Sequence, residues 1–156
     1  MSDNTMLILL VGVVVFGGGF LLMNKGKKSG GNHDDVVAPL KIQAYERLLL
    51  YLERMRFSVL VKRVFMPGMS CSDLQFALIQ NIQDEFEHNL AQRLYVEEQT
   101  WIIVSLAKEE ALRIINNAFG ENPEANAATM AQTIASMSNP LIDKAIITIK
   151  KEFNTL

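Results

Sequence analysis

The segment DEFEHNLAQRLYV, Asp84 to Val96, contains Glu85 and His88 in the spacing Glu-x-x-His. On a helix that spacing sets a carboxylate and an imidazole one turn apart, and helical di-iron and di-manganese proteins use it as a metal half-site. Such a site needs its ligands aimed into the bundle core and a second half-site to face them. A helical reading from SCSDLQ to about Tyr95 tests this. At about 100° per residue, Asn81, Glu85, His88, Gln92 and Tyr95 fall within roughly 40° of one line. Leu78, Ile79, Ile82, Phe86, Leu90 and Leu94 occupy an arc centred about 130° away. The Glu-x-x-His therefore points away from the expected core, and no second one exists. The other histidine, His33, lies in the linker NKGKKSGGNHDD. The reading is of a polar stripe, Asn81, Glu85, His88, Gln92 and Tyr95, offered to a partner, with no metal and no cofactor. A metal-binding or enzyme-accessory role for Glu85 and His88 is the alternative.

The same projection sets Asn89 and Arg93, four residues apart, inside the apolar arc. A buried arginine is costly unless it is paired. Asn89, Arg93, Glu46 and Glu53 are accordingly the candidate buried polar network. On the next helix Trp101, Ile103, Val104, Ala107, Ala111, Leu112, Ile114, Ile115, Ala118 and Phe119 form an apolar half-cylinder. Ile102 and Leu106 stand outside it among Glu109, Arg113, Asn116 and Asn117, and join the candidate partner surface.

Other chemistry is missing from the sequence. The one cysteine, Cys71, permits neither an intramolecular disulfide nor a cysteine zinc site. GKKSGG lacks the spacing of a phosphate-binding P-loop. The formal charge of -2 and the lack of basic side chains interleaved with exposed aromatics give no nucleic-acid partner. No catalytic constellation and no small-molecule substrate emerge, so the expectation is a protein that is not an enzyme.

The elements that must carry these residues begin with an uncharged run, Met6 to Met23. At about 1.5 Å per residue it spans roughly 27 Å, close to the hydrocarbon thickness of a bilayer. Lys25, Lys27 and Lys28 follow it and no Lys or Arg precedes it. The positive-inside rule then places the N-terminus outside and the bulk of the chain in the cytoplasm, on a bacterial inner membrane. Residues 1–23 form the anchor, 24–38 a basic, Gly-rich linker, and 39–156 a helical domain. Pro39 suits the first turn of the first soluble helix, where Ile42, Tyr45, Leu48, Leu49, Leu52 and Met55 recur at three- and four-residue steps. FSVLVKRVF, Phe57 to Phe65, is rich in β-branched residues and fits a strand or a helical continuation equally. Ser72 with Gln75, or Ser70 with Asp73, caps the next helix. The third runs from Glu97-Glu98 to Gly120. Asn122-Pro123-Glu124 and Asn139-Pro140 start the last two, to about Met137 and Phe153. The fold class is all-α: one transmembrane helix followed by a small bundle of about five helices.

Charge is divided along the chain. Lys41, Arg47, Arg54, Arg56, Lys62 and Arg63 crowd the part nearest the anchor, whereas Asp73 to Glu110 is predominantly acidic. The two parts are expected to neutralise each other in the bundle. A lipid-surface role, with the basic segment reinforcing Lys25, Lys27 and Lys28 on anionic headgroups, is a further alternative.

YERLLLYLERM, PGMS, LQ-x-AL, DEFEHNLAQRLYV and a Trp followed by AKEE and IIN together resemble a family of small single-pass membrane proteins of Bacteroidota, a domain of unknown function. The resemblance covers about Leu40 to Asn117, with EHNLAQ-x-LYV its most specific part. It implies membrane-anchored helical character and no activity. The functional expectation is a non-catalytic scaffold or accessory subunit. Its partners are the bilayer and other membrane proteins or further copies of itself.

Overall fold

A computed structural model describes residues 33–155, and the chain from Val37 onward forms one compact unit. Among the described residues there are six α-helices, one 3-10 turn and no strand. They are α1 (His33–Met55), α2 (Phe57–Val64), α3 (Cys71–Glu87), the 3-10 turn (Leu90–Leu94), α4 (Glu98–Glu121), α5 (Ala127–Ser136) and α6 (Pro140–Phe153). No described helix is long and apolar enough to cross a membrane. The run Met6 to Met23 and Lys25, Lys27 and Lys28 lie outside the described residues.

Four boundaries differ from the sequence expectation. The helix expected to open at Pro39 begins at His33, with Pro39 inside it. Phe57–Val64 is a helix of its own. Arg56 takes an extended ψ of 128°, which ends α1, and Phe57, Leu60 and Val61 then bury one face. Amphipathic spacing has overridden the β-branched preference there. The helix expected to reach Tyr95 stops at Glu87. Asp84, Glu85 and Glu87 crowd its last turn, where the helix dipole disfavours negative charge. Asn89 Nδ2 also donates to the Glu85 carbonyl at 2.7 Å, so a side chain replaces the next helical N–H. Finally, Asn122 does not start α5. Its side chain donates to the Ala118 carbonyl at 2.8 Å, at the end of α4. Asn126 is the N-cap of α5, accepting from the Thr129 N–H at 2.9 Å.

Of the two candidate boxes at the start of α3, Ser70 with Asp73 forms and Ser72 with Gln75 does not; the Gln75 side chain donates to Asn116 instead. Asn139 caps α6, with Pro140 at its start. Asn139 is itself buried and donates to the Ala107 carbonyl at 2.8 Å, which ties the start of α6 to the middle of α4. Small residues set the spacing of these two helices: Ala107, Ala111 and Ala118 on α4 and Ala145 on α6 are all buried. Around them Leu48, Leu52, Leu60, Leu74, Leu78, Ile82, Ile115, Met130, Ile134 and Ile142 are fully enclosed. Truncating any of these to Ala removes about 2–5 kcal/mol of stability by transfer and cavity terms. The core is built by all six helices, and side chains are held at its edges by polar ties between them.

Candidate functional site

The polar side of α3 meets the ends of α1 and α2. Arg54, in the last turn of α1, donates its Nε to Glu85 Oε1 at 2.8 Å, and its Nη2 bonds the same oxygen. Arg63, in the last turn of α2, donates Nη2 to that oxygen at 2.7 Å. Burial pushes the Glu85 carboxyl upward, but the hydrogen bonds and charge of Arg54 and Arg63 outweigh it and hold the group below the ordinary carboxylate range. Beneath this cluster lie the Tyr51 hydroxyl and Asn81 Oδ1, buried and without a hydrogen-bond partner among the described residues. The space among Tyr51, Arg54, Arg63, Asn81 and Glu85 leaves no room for a water molecule. Burial, followed by the charges of Glu85 and Glu109, drives the Tyr51 phenol far above its ordinary pKa. Its ring is the first of an aromatic series. Tyr51 and Phe86 are 6.0 Å apart, Phe86 and Trp101 5.3 Å, and Lys108 Nζ stands 4.7 Å over Phe86.

The five residues expected in one outward stripe are thus dispersed. Asn81 and Glu85 turn toward α1 and α2, and Glu85 is taken by two guanidinium groups. His88 is exposed, and its Nδ1 donates to the Asp84 carbonyl at 2.5 Å. Gln92 is buried and Tyr95 half-buried. For Asn81 and Glu85 the cause is the packing of α1 and α2 on the polar side of α3; for Gln92 and Tyr95 it is the change of helix type after Glu87. At about three residues per turn, a 3-10 segment rotates each side chain roughly 20° further than an α-helix does. Leu90 and Leu94, expected inside, are consequently 49% and 80% exposed.

The expected buried network is not assembled either. Asn89 is buried, but its side chain donates to the Glu85 carbonyl and not to the expected network. Arg93 is exposed and pairs with Glu98 at 2.9 Å. Glu53 pairs with Arg56 at 2.6 Å, and Arg56 also reaches Asp143 at 2.8 Å. Glu46 is exposed. Ile102 and Leu106 do stand in the open, 41% and 49% exposed, on the face of α4 expected for them. The basic and acidic parts of the chain meet in the pairs of Arg54 and Arg63 with Glu85, and Arg47 donates to the His88 carbonyl at 3.2 Å.

A second polar centre had no counterpart in the sequence expectation. Glu152, in the last turn of α6, accepts hydrogen bonds from the Tyr45 hydroxyl and the Thr100 hydroxyl. It also accepts from the Glu97 N–H at 2.6 Å. Tyr45 and Thr100 are only 3% and 1% exposed. Glu97 is the N-cap residue of α4 and its own side chain makes no cap, so Glu152 supplies the cap from another helix, with its charge on the favourable end of the α4 dipole. An acid in the last turn of α6, where a base would be favoured, was the one local hint. Beside this centre a groove of about 260 Å³ opens between α1 and α6, lined by Tyr45, Leu49, Ile149 and Phe153. Tyr45 and Phe153 meet edge to face across its floor, 6.0 Å apart.

These arrangements bind and hold; none pairs a free nucleophile with a base. Among the described residues no group of three or more His, Cys, Asp or Glu side chains is placed to hold a metal ion. A family model described as "Family of unknown function (DUF7935)" matches residues 4–156. No curated protein and no solved structure matches the chain.

Proposed function

We propose, for this chain that belongs to the DUF7935 family of unknown function, a membrane-anchored helical module that assembles with a larger membrane protein complex as a scaffold or accessory subunit, without catalysis. The anchor is the run Met6 to Met23. Lys25, Lys27 and Lys28 after it favour an N-terminus outside and a helical domain in the cytoplasm of a bacterium. The resemblance to single-pass proteins of Bacteroidota supports the same placement. The observation that carries the reading is the exposure of Ile102 and Leu106, one turn apart on α4, amid a surface otherwise made by Glu109, Arg113, Asn116 and Asn117. Two large apolar side chains set together on a polar face suit a docking surface better than a solvated one.

The test is a mild-detergent pull-down of the full chain, read by mass spectrometry, beside the double variant Ile102→Ser/Leu106→Ser. A stoichiometric membrane protein that accompanies the wild type and is lost from the variant supports the proposal. A chain recovered alone and as a monomer refutes it. The metal alternative would first require Glu85 to leave both Arg54 and Arg63, and no observation favours that.

A further inference from the structure

We infer that the groove between α1 and α6 is the seat of a second copy of this chain, related to the first by a two-fold axis running along the groove. The inference rests on the membrane-assembly reading above and names one partner within it. It starts from the order of side chains on the two walls. At about 100° per residue, α1 presents Leu49, then Glu46, then Leu50 as one moves outward from the groove floor. The other wall, α6, presents Phe153, then Lys150, then Ile147 in the same outward order. Beside the groove each wall is therefore apolar, charged, apolar, with the sign of the charge reversed; further along the same rows Glu53 and Asp143 are both taken by Arg56 of their own chain.

The exposures fit a surface awaiting cover. Leu50 is 62% exposed, Ile147 66% and Phe153 41%. Glu46 and Lys150 are both exposed, and neither makes an ion pair with any described residue. Two-fold contacts are self-complementary, so each wall must meet its match on the partner. An axis across the groove would stack α1 on α1 and set Glu46 against Glu46, and Lys150 against Lys150, which electrostatics disfavours. An axis along the groove stacks α1 of one copy on α6 of the other. It pairs Glu46 with Lys150 twice, and Leu50 with Ile147 twice. It also leaves the N-terminal ends of both α1 helices at one end of the pair, as two chains anchored in one membrane require. Charge and anchoring thus select the same axis.

The experiment is sedimentation equilibrium of the full chain in mild detergent, for wild type, Glu46→Lys, Lys150→Glu and the double exchange. The wild type should dimerise, each single reversal should weaken the dimer roughly tenfold or more, and the double exchange should restore it. Cross-linking then fixes the axis: in a Cys71→Ser background, Leu50→Cys mixed with Ile147→Cys should form a disulfide-linked dimer under a mild oxidant, and Leu50→Cys alone should not. A dimer indifferent to both reversals, or one cross-linked by Leu50→Cys alone, overturns the inference. A monomer that carries a different stoichiometric protein, lost on Lys150→Glu, overturns the second copy but leaves the assembly reading standing. A monomer with no companion overturns both.

Discussion

Glu152→Ala should be among the most damaging changes to any charged residue of the described chain. The wild-type carboxylate accepts from Tyr45 on α1 and from Thr100 and the Glu97 N–H on α4. Truncation leaves two hydroxyls, 3% and 1% exposed by residue, with no acceptor. A buried donor left unmade costs about 1–3 kcal/mol. The Glu97 N–H lies on an exposed residue where water can replace the cap, so it adds less than a typical cap loss of about 1 kcal/mol. Allowing for overlap within one network, the expected loss is about 3 kcal/mol, a large share of a typical 5–15 kcal/mol. Glu152→Gln keeps one acceptor oxygen and the shape but loses the charge, and should cost about half as much. Lys151→Ala, exposed next door, should stay within about 0.5 kcal/mol. Urea unfolding followed by circular dichroism measures all three, with an unchanged slope marking a native-state effect. The network also predicts non-additivity: Tyr45→Phe with Glu152→Ala should show a coupling of about 1 kcal/mol or more. A Glu152→Ala protein within 0.5 kcal/mol of wild type, or strict additivity with Tyr45→Phe, would refute the reasoning.

Further outcomes follow from the other sites. Tyr51→Phe removes a buried hydroxyl that has no partner and should raise stability by about 1 kcal/mol at neutral pH in the same unfolding assay; a loss of that size would mean the hydroxyl is bonded. Because the fold raises the Tyr51 pKa, its neutral-form contribution is intact below the ordinary tyrosine value of about 10 and is lost above it. The variant should therefore unfold less steeply than wild type in an alkaline titration. For Glu85 the sign is opposite. Its lowered pKa makes the contribution present above the ordinary value of about 4.3 and lost as pH falls through the folded value. Glu85→Gln should cost about 1–2 kcal/mol at pH 7 and flatten the acid limb of the stability profile, and an unaltered acid limb would count against the two-arginine clamp. Ile102→Ser with Leu106→Ser should lower the unfolding midpoint only modestly while abolishing co-purification, since close to half of each residue already stands in solvent.

The helical class, the cap at Asn139-Pro140 and the apolar half-cylinder of α4 were legible because each rests on local spacing. Trp101, Val104, Ala107, Ala111 and Ile115 are buried as their period requires. What failed was extrapolation past a local break. The stripe and the Asn89–Arg93 pair both assumed that α3 continues to Tyr95. Three carboxylates in the last turn and the Asn89 side chain end it at Glu87; His88 and Asn89 keep the expected faces, and the positions from Leu90 onward rotate out of register. Glu152 was invisible for another reason. Its partners lie between 52 and 107 residues away, and nothing in a single sequence marks such a pairing. Tyr45 and Glu97 each carried some other local role in the pattern, as a core residue and a helix start.

The Glu-x-x-His shows how a small ambiguity governs a site. In one continuous helix Arg54 and Arg63 would lie roughly 180° apart around the axis and about 13.5 Å apart along it. They could not share a carboxylate. The extended ψ at Arg56 turns the chain between them, so that the last turns of α1 and α2 converge on one oxygen of Glu85. Whether Phe57 to Phe65 is a strand, a continuation or a separate helix thus decides what Glu85 is. As a separate helix it delivers a second guanidinium, and Glu85 becomes the clamp of three elements. Replacing Arg56 by a residue with higher helix propensity and no ion pairs, such as Ala, weakens both ties to Glu53 and Asp143. The bend itself should persist, because Phe57, Leu60 and Val61 are buried only when α2 departs from the α1 axis. The apolar face of α2 therefore fixes the electrostatics of α3, through a turn whose own charge, on Arg56, goes to Glu53 and Asp143 and not to Glu85.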